Sequence, residues 1–245
     1  MFFPSQDMAI EEVQGIVSVV PKEVGYVLNG KIWTKLLGVV PWCEGVLYSV
    51  QRNGKIVTLD EAVEFRHDSG GVDSSDEYEY TGTLLASTHD GCAHLYEPSV
   101  PELLAIVAHS DIRKREHYFD VEVNSKLGQS ILAFSANSGR TFVVPSQDLS
   151  LLVNTDADSE YSRHEIVGKL MPVNARKNES CIAQAGYAKG KVWFVRSLPA
   201  QGYLRVRAVG LGWAEENISG IDIGGYFDYG GRARGVVPVG AQKIQ

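Results

Sequence analysis

Short runs of β-branched and aromatic residues, four to six long and bounded by Gly, Asn, Asp or Ser, recur along the chain. They fall at 24–28, 32–37, 46–50, 56–59, 119–123, 131–134, 141–144, 192–195 and 204–209. Runs of this length with such boundaries predict strands. Two junctions are Asn29-Gly30 and Asn53-Gly54, a dipeptide that accepts positive φ at both centres of a type I′ turn, so each predicts a two-residue hairpin. Their surroundings, Asn29-Gly30-Lys31-Ile32-Trp33-Thr34 and Asn53-Gly54-Lys55-Ile56-Val57-Thr58, match at five of six positions. No further copy follows, and convergence on a good turn accounts for the pair. The N-terminal region therefore reads as a β meander.

A different pattern begins after the polar stretch HDSGGVDSSDEYEY at 67–80, whose glycines and five acidic residues predict an exposed loop or linker. Ser99-Val100-Pro101-Glu102 forms a capping box with proline in the first turn, and Leu103, Leu104, Ile106 and Val107 make one apolar face, which predicts a helix over 100–109. A weaker helical pattern covers 159–170. The chain divides on this reading into an N-terminal β domain at 1–66, the acidic segment at 67–80, and a β-rich α+β domain at 81–245.

Composition narrows the function classes. Apolar content of 44% and charged content of 22% over 245 residues fit a globular protein, and 25 glycines against 9 prolines fit one with many turns. The net charge of −7 argues against nucleic acid as a general partner, with Arg113-Lys114-Arg115 the densest basic run and better placed to answer a helix dipole than to bind phosphate. Cys43, Cys92 and Cys181 are odd in number and widely spaced, which fits reduced thiols. The N-terminus lacks the basic and apolar regions of a signal peptide, and no uncharged stretch is long enough for a membrane helix, so neither export nor membrane insertion is expected.

Three motifs, taken in order, carry a resemblance. His94-Leu95-Tyr96-Glu97-Pro98-Ser99-Val100-Pro101-Glu102-Leu103-Leu104 resembles the strand and capped helix of bacterial and phage C-type-lectin-like and formylglycine-generating-enzyme-like proteins, with Pro98, Ser99, Glu102 and Leu103 in the matching places. Trp193-Phe194-Val195-Arg196-Ser197 resembles their aromatic-Arg-Ser strand, and Gly235-Val236-Val237-Pro238-Val239 their closing strand, with Arg234 displaced from the usual arginine position. The resemblance spans the C-terminal two thirds and implies a C-type-lectin-like domain there. Formylglycine chemistry needs a reactive cysteine pair, and no cysteine follows Cys181. Glu97-Pro98-Ser99 lies in the wrong part of the fold to serve as a lectin's calcium-dependent sugar motif.

Candidate chemistry is sparse. No nucleophile elbow, P-loop or dinucleotide fingerprint is present. Within 224–231, Tyr226, Phe227, Asp228 and Tyr229 sit between glycine pairs, an arrangement that can present rigid amphipathic contacts on a permissive backbone; the same aromatics could instead fill a core. His89, Cys92 and His94 are zinc-ligand types, and on a strand Cys92 and His94 would share a face, but an ordinary turn with a buried cysteine also fits. Asn154, Asp156, Asp158 and Glu165 fall at calcium-loop spacing, yet Ser159 replaces the turn glycine and a solvated acidic loop fits better. No cofactor is expected, zinc or calcium at those positions being the exceptions to test.

The resulting expectation is a non-catalytic recognition or structural protein, oligomeric and bound to protein partners in a larger assembly. A phage virion component, in fibre, tail or capsid, or a surface-associated one fits the relatives of this resemblance, with virion or cytoplasm as the location. The alternatives are a soluble intracellular metal-dependent enzyme and a cytoplasmic protein-binding inhibitor.

Overall fold

The structure is a computed structural model that describes residues 26–34, 37–70, 78–109, 118–144, 150–156, 160–194, 197–212, 218–225 and 231–238. Its strands and helices alternate in an α+β arrangement. The N-terminal part contains β1 (Tyr26–Leu28), β2 (Lys31–Trp33), β3 (Leu37–Val40), α1 (Trp42–Val50), β4 (Lys55–Ile56) and α2 (Leu59–Asp68). The middle contains β5 (Glu79–Ser87), β6 (Cys92–Tyr96), α3 (Val100–Val107), β7 (Phe119–Glu122), α4 (Lys126–Ser138), β8 (Thr141–Val143) and β9 (Ser150–Asp156). A 3₁₀ turn (Tyr161–Arg163), α5 (Glu165–Leu170), α6 (Ala175–Gln184), β10 (Lys189–Phe194), β11 (Tyr203–Leu211), β12 (Ile218–Gly225), β13 (Gly231–Ala233) and β14 (Gly235–Pro238) complete it.

The main sheet follows the order β3-β13-β5-β11-β12-β10-β9, with β6, β7 and β8 attached off this path, and a smaller sheet runs β1-β2-β14-β4. Strand β5 is buried along its whole length and is the axis of the fold. Tyr80, Leu84 and Ala86 face a core shared with Leu204, Val206, Ala208 and residues of α1, α3 and α4. Leu85 faces a second core with Val209, Leu211 and residues of α2, α5 and α6. Helices thus cover both faces of the sheet, so the polar residues that alternate along β5 (Glu79, Thr81, Thr83, Ser87) are buried together with its apolar ones.

Polar residues inside β5 are satisfied locally. The Thr81 hydroxyl donates to the Val209 carbonyl at 2.6 Å, and Thr83 Oγ1 accepts the Leu59 N–H at 2.9 Å. Gly82 lets the backbone of β5 approach that of 56–57, its N–H reaching the Val57 carbonyl at 2.6 Å, where an added Cβ would meet the Ile56 side chain.

Several sequence expectations hold. The Asn29-Gly30 hairpin joins β1 and β2 with φ of 52° and 68°, as a type I′ turn requires. Helix α3 starts at the expected capping box, where Glu102 accepts the Ser99 N–H at 2.8 Å.

Others are corrected. Residues 46–50 lie in α1, where Trp42 and Val46 are wholly buried; a short apolar run buried on most sides has no diagnostic period. Residues 131–134 lie in α4, which Ser125 caps by accepting the Gly128 N–H at 3.0 Å and which Gly139 ends in the left-handed region. Asn53-Gly54 links α1 to β4 and makes no hairpin, and only Asn53 of the pair has positive φ.

The N-terminal segment is also not a meander closed upon itself. β14 lies between β2 and β4, pairing Val236 with both Trp33 and Lys55, and β13 pairs with β3. The expected boundary at 67–80 is therefore not a break in packing. One buried charge cluster spans it: Glu79 accepts from Arg66 at 3.0 and 3.1 Å and from Arg234 at 3.3 Å, while Arg234 also donates to the Thr34 carbonyl and stacks 3.8 Å from the Phe65 ring centroid. Arg234, the residue displaced from the familiar motif, thus ties the C-terminal strands to the N-terminal ones.

Candidate functional site

The aromatic loop candidates Tyr226, Phe227, Asp228 and Tyr229 lie outside the described residues, as do Arg113, Lys114, Arg115 and Asp158. Both strands flanking the loop are fixed in the main sheet. Gly225 at the end of β12 pairs with Ala208, and Gly231 at the start of β13 pairs with Val40. In sheet order β12 and β13 bracket the β11–β5 pair.

His89 sits exposed on the turn between β5 and β6, whereas Cys92 and His94 share one face of β6 beside Val143 and Thr141 of β8. Thr88 organises the turn: its Oγ1 accepts the Cys92 N–H at 3.0 Å and its hydroxyl also bonds Asp90. The Thr88 hydroxyl and Cys92 N–H hold the Asp90 carboxyl below its usual range. Burial pushes the Cys92 thiol up and the His94 imidazole down, so both favour their neutral forms. Among the described residues, no three His, Cys, Asp or Glu side chains converge to hold a metal ion.

The described candidates at calcium-loop spacing fall on two different elements. Asn154 and Asp156 stand on β9, paired with Lys191 and Lys189 of β10. Alternate residues of an extended strand share one face, so Asn154 and Asp156 lie side by side on β9 and not in the curled loop that a calcium-loop spacing presumes. Glu165 opens α5, exposed and paired with Lys169 at 2.9 Å.

The structure assembles a concavity that sequence reading did not find. A groove of about 530 Å³ lies where the end of β6 meets α3 and α4, walled by Tyr96, Glu97, Ser99, Glu102, Ser130 and Phe134, with Lys55 at its rim. Tyr96 and Phe134 meet edge to face at 5.7 Å. Burial opposes ionisation of Glu102, but the Ser99 hydroxyl and N–H, donating to its carboxylate at 2.6 and 2.8 Å, help to outweigh it and hold the carboxyl below its usual range. Burial first, and then the neighbouring Glu102 carboxylate, drives the Tyr96 phenol far above its ordinary value. Pro98, Ser99 and Glu102 were legible as the start of a helix; that they line a groove depends on where α4 packs, which no local motif encodes.

A basic pair lies on β11. The Arg205 guanidinium clasps the Asp120 carboxylate at 2.7 and 2.8 Å and lies 3.8 Å from the Tyr118 ring centroid, which Arg207 approaches to 4.9 Å. Both arginines donate to the Ser197 hydroxyl. Ser197 closes the aromatic-Arg-Ser motif, so that motif carries a contact to β11 as well as the buried Phe194.

Comparison with known proteins gives one informative result. No family model matches the chain, and no curated protein matches it either. A solved structure from work on the accommodation of massive sequence variation in Nanoarchaeota by the C-type lectin fold superposes with a TM-score of 0.55 at 14% identity, covering 87% of this chain and 99% of its own. At that identity the likeness concerns the fold alone, and the fold is that of C-type lectins. The superposed share exceeds what residues 81–245 can supply, so N-terminal elements belong to the likeness too. No helix among the described residues is long and apolar enough to cross a membrane.

Proposed function

We propose that this chain is a non-catalytic recognition module of C-type lectin fold that works within a larger protein assembly, as a phage virion or surface-associated component. The observation that carries this reading is the fold itself, matched to a protein in which that fold accommodates massive sequence variation. A scaffold with such tolerance suits recognition, because the buried sheet holds its shape while a surface segment changes. Here the segment is 226–229, with Tyr226, Phe227 and Tyr229 as contact groups and Asp228 as the polar one, bracketed by glycines and seeded by two strands of the main sheet. The virion assignment rests on the resemblance of three sequence motifs to those of bacterial and phage C-type-lectin-like proteins.

The test compares stability with binding. Single replacements Tyr226→Ser, Phe227→Ser and Tyr229→Ser should each move the melting temperature by less than about 2 °C, as surface changes do in a chain of this size. A library randomised at 226–229 should yield folded members that bind an arbitrary purified protein such as lysozyme. If the single variants instead lose about 3–5 kcal/mol, the aromatics are core residues and the loop is not the recognition element. Light scattering addresses the assembly: a strictly monomeric protein over a wide concentration range would count against that part.

A further inference from the structure

The groove between β6, α3 and α4 combines a carboxylate that has no counter-ion with a buried hydroxyl that has no partner. Three charged side chains line it: Lys55, Glu97 and Glu102. Glu97 is neutralised by Arg140, and Lys55 by Glu61 at 3.2 Å. Glu102 differs, because among the described residues no cation compensates it. Its Oε2 accepts the Ser99 N–H at 2.8 Å and the Ser99 hydroxyl at 2.6 Å, and the carboxyl, held below its usual range, stays ionised at neutral pH. The groove therefore carries one negative charge.

Tyr96 supplies the second observation. It is only 2% exposed, and its hydroxyl, turned toward the groove beside the Glu102 carboxylate, makes no hydrogen bond among the described residues. A buried hydroxyl left in that state is unfavourable, and nearly all such groups in folded proteins are satisfied. An anion would be repelled by Glu102, and an apolar group would leave both polar groups unanswered. A cation with N–H donors answers both. The aromatic pair Tyr96 and Phe134, edge to face at 5.7 Å, adds ring surface that also favours a cation. A guanidinium gains most from a carboxylate with both oxygens open, but Ser99 already occupies Oε2 of Glu102. An ammonium is a point charge with three donors, so one open oxygen and one hydroxyl suit it.

We propose that this groove binds an alkylammonium group, whose N–H donors reach the Glu102 carboxylate and the Tyr96 hydroxyl while its methylenes lie along the Phe134 ring. The same chemistry belongs to a free amine and to the end of a lysine side chain. The site is separate from 226–229, so it stands or falls independently of recognition by that loop.

NMR titration of the full chain with butylammonium chloride, and separately with lysine blocked at both its amino and carboxyl ends, tests the site through the ring signals of Tyr96 and Phe134. Both sets of signals should shift and saturate, and sodium chloride or sodium acetate at equal ionic strength should not reproduce the effect. Tighter binding of blocked lysine marks a protein side chain as the source, and tighter binding of butylammonium a free amine. Tyr96→Phe keeps the ring and removes only the hydroxyl, so it should leave the melting temperature unchanged or higher and weaken binding about three- to tenfold. Glu102→Gln keeps an oxygen for Ser99 and should weaken binding about tenfold or more. Should Glu102→Gln fail to fold, Tyr96→Phe and the sodium salts still decide the matter. The proposal is overturned if neither amine shifts the two rings, if sodium salts shift them equally, or if Tyr96→Phe binds both amines as tightly as the unmodified protein.

Discussion

Two aspartates at opposite ends of α2 bend the pH dependence of stability in opposite senses. Asp68 accepts from Lys177 at 2.9 Å and from Asn29 at 2.6 Å, and contacts His67 at 2.7 Å; Lys177 chiefly, then His67, hold its carboxyl down at about 2. A carboxyl depressed below its unfolded value of 3.8 adds stability above that value and loses it as pH falls toward 2. Asp60, raised to about 6, behaves in reverse: its contribution is present below 3.8 and is lost as pH rises through 6. These two groups therefore favour the folded state most near pH 4. Urea denaturation at several pH values should show Asp60→Asn removing a decline between pH 4 and 6. Asp68→Asn should remove a decline between pH 4 and 2, a smaller one because that pair is solvent-screened. At Glu79, whose side chain is 0% exposed, the issue is compensation: Glu79→Ala would leave Arg66 and Arg234 buried without their shared anion. Its expected cost is about 3–5 kcal/mol by urea denaturation. A loss within experimental error would mean water reaches both arginines.

Elements were legible from sequence where a local signal fixed them and illegible where packing did. The Asn29-Gly30 turn, the Ser99–Glu102 capping box and the strands at β7, β8, β10 and β11 each announce themselves through a turn dipeptide, a cap or an alternating run. Helix α1 and the 131–134 stretch of α4 do not, since four or five apolar residues satisfy strand and helix equally. For α4 the missing signals were present but polar: Ser125 as N-cap and Gly139 as the left-handed stop. Helix α6, ARKNESCIAQ, is polar apart from Ala175, Ile182 and its immediate neighbours, and is held against α2 by tertiary contacts including Lys177–Asp68. Strands β5 and β12, rich in Gly, Thr and Ser, owe their conformation to neighbours on both sides. The groove was hidden for the same reason, because Glu97 and Phe134 meet only through the packing of β6 on α4.

At the scale of the molecule, the ends of the chain complete each other. β14, from the last described residues, is the central partner of β2 and β4, and both cores draw on residues from either side of 67–80. Trp33 and Phe65 come from the N-terminal part, yet lie in the same core as Leu95, Val192 and Ile221. A fragment comprising 81–245 would lose β1 to β4, α1 and α2, leaving both edges of β14 unpaired and the Leu85 face of β5 open to water. It would also lack Glu79, leaving Arg234 without its carboxylate. Such exposure removes several buried aromatics at about 1.5–3 kcal/mol each, more than the 5–15 kcal/mol that typically separates folded from unfolded. The fragment should therefore fail to fold, and the full chain should unfold in one cooperative step. Far-ultraviolet circular dichroism and tryptophan fluorescence during a thermal scan should give coincident midpoints, in the full chain and in a variant retaining only the N-terminal reporters Trp33 and Trp42. Two separated transitions, or a 81–245 fragment with a native-like melt, would restore an independent N-terminal domain and recast β14 as an interdomain strap.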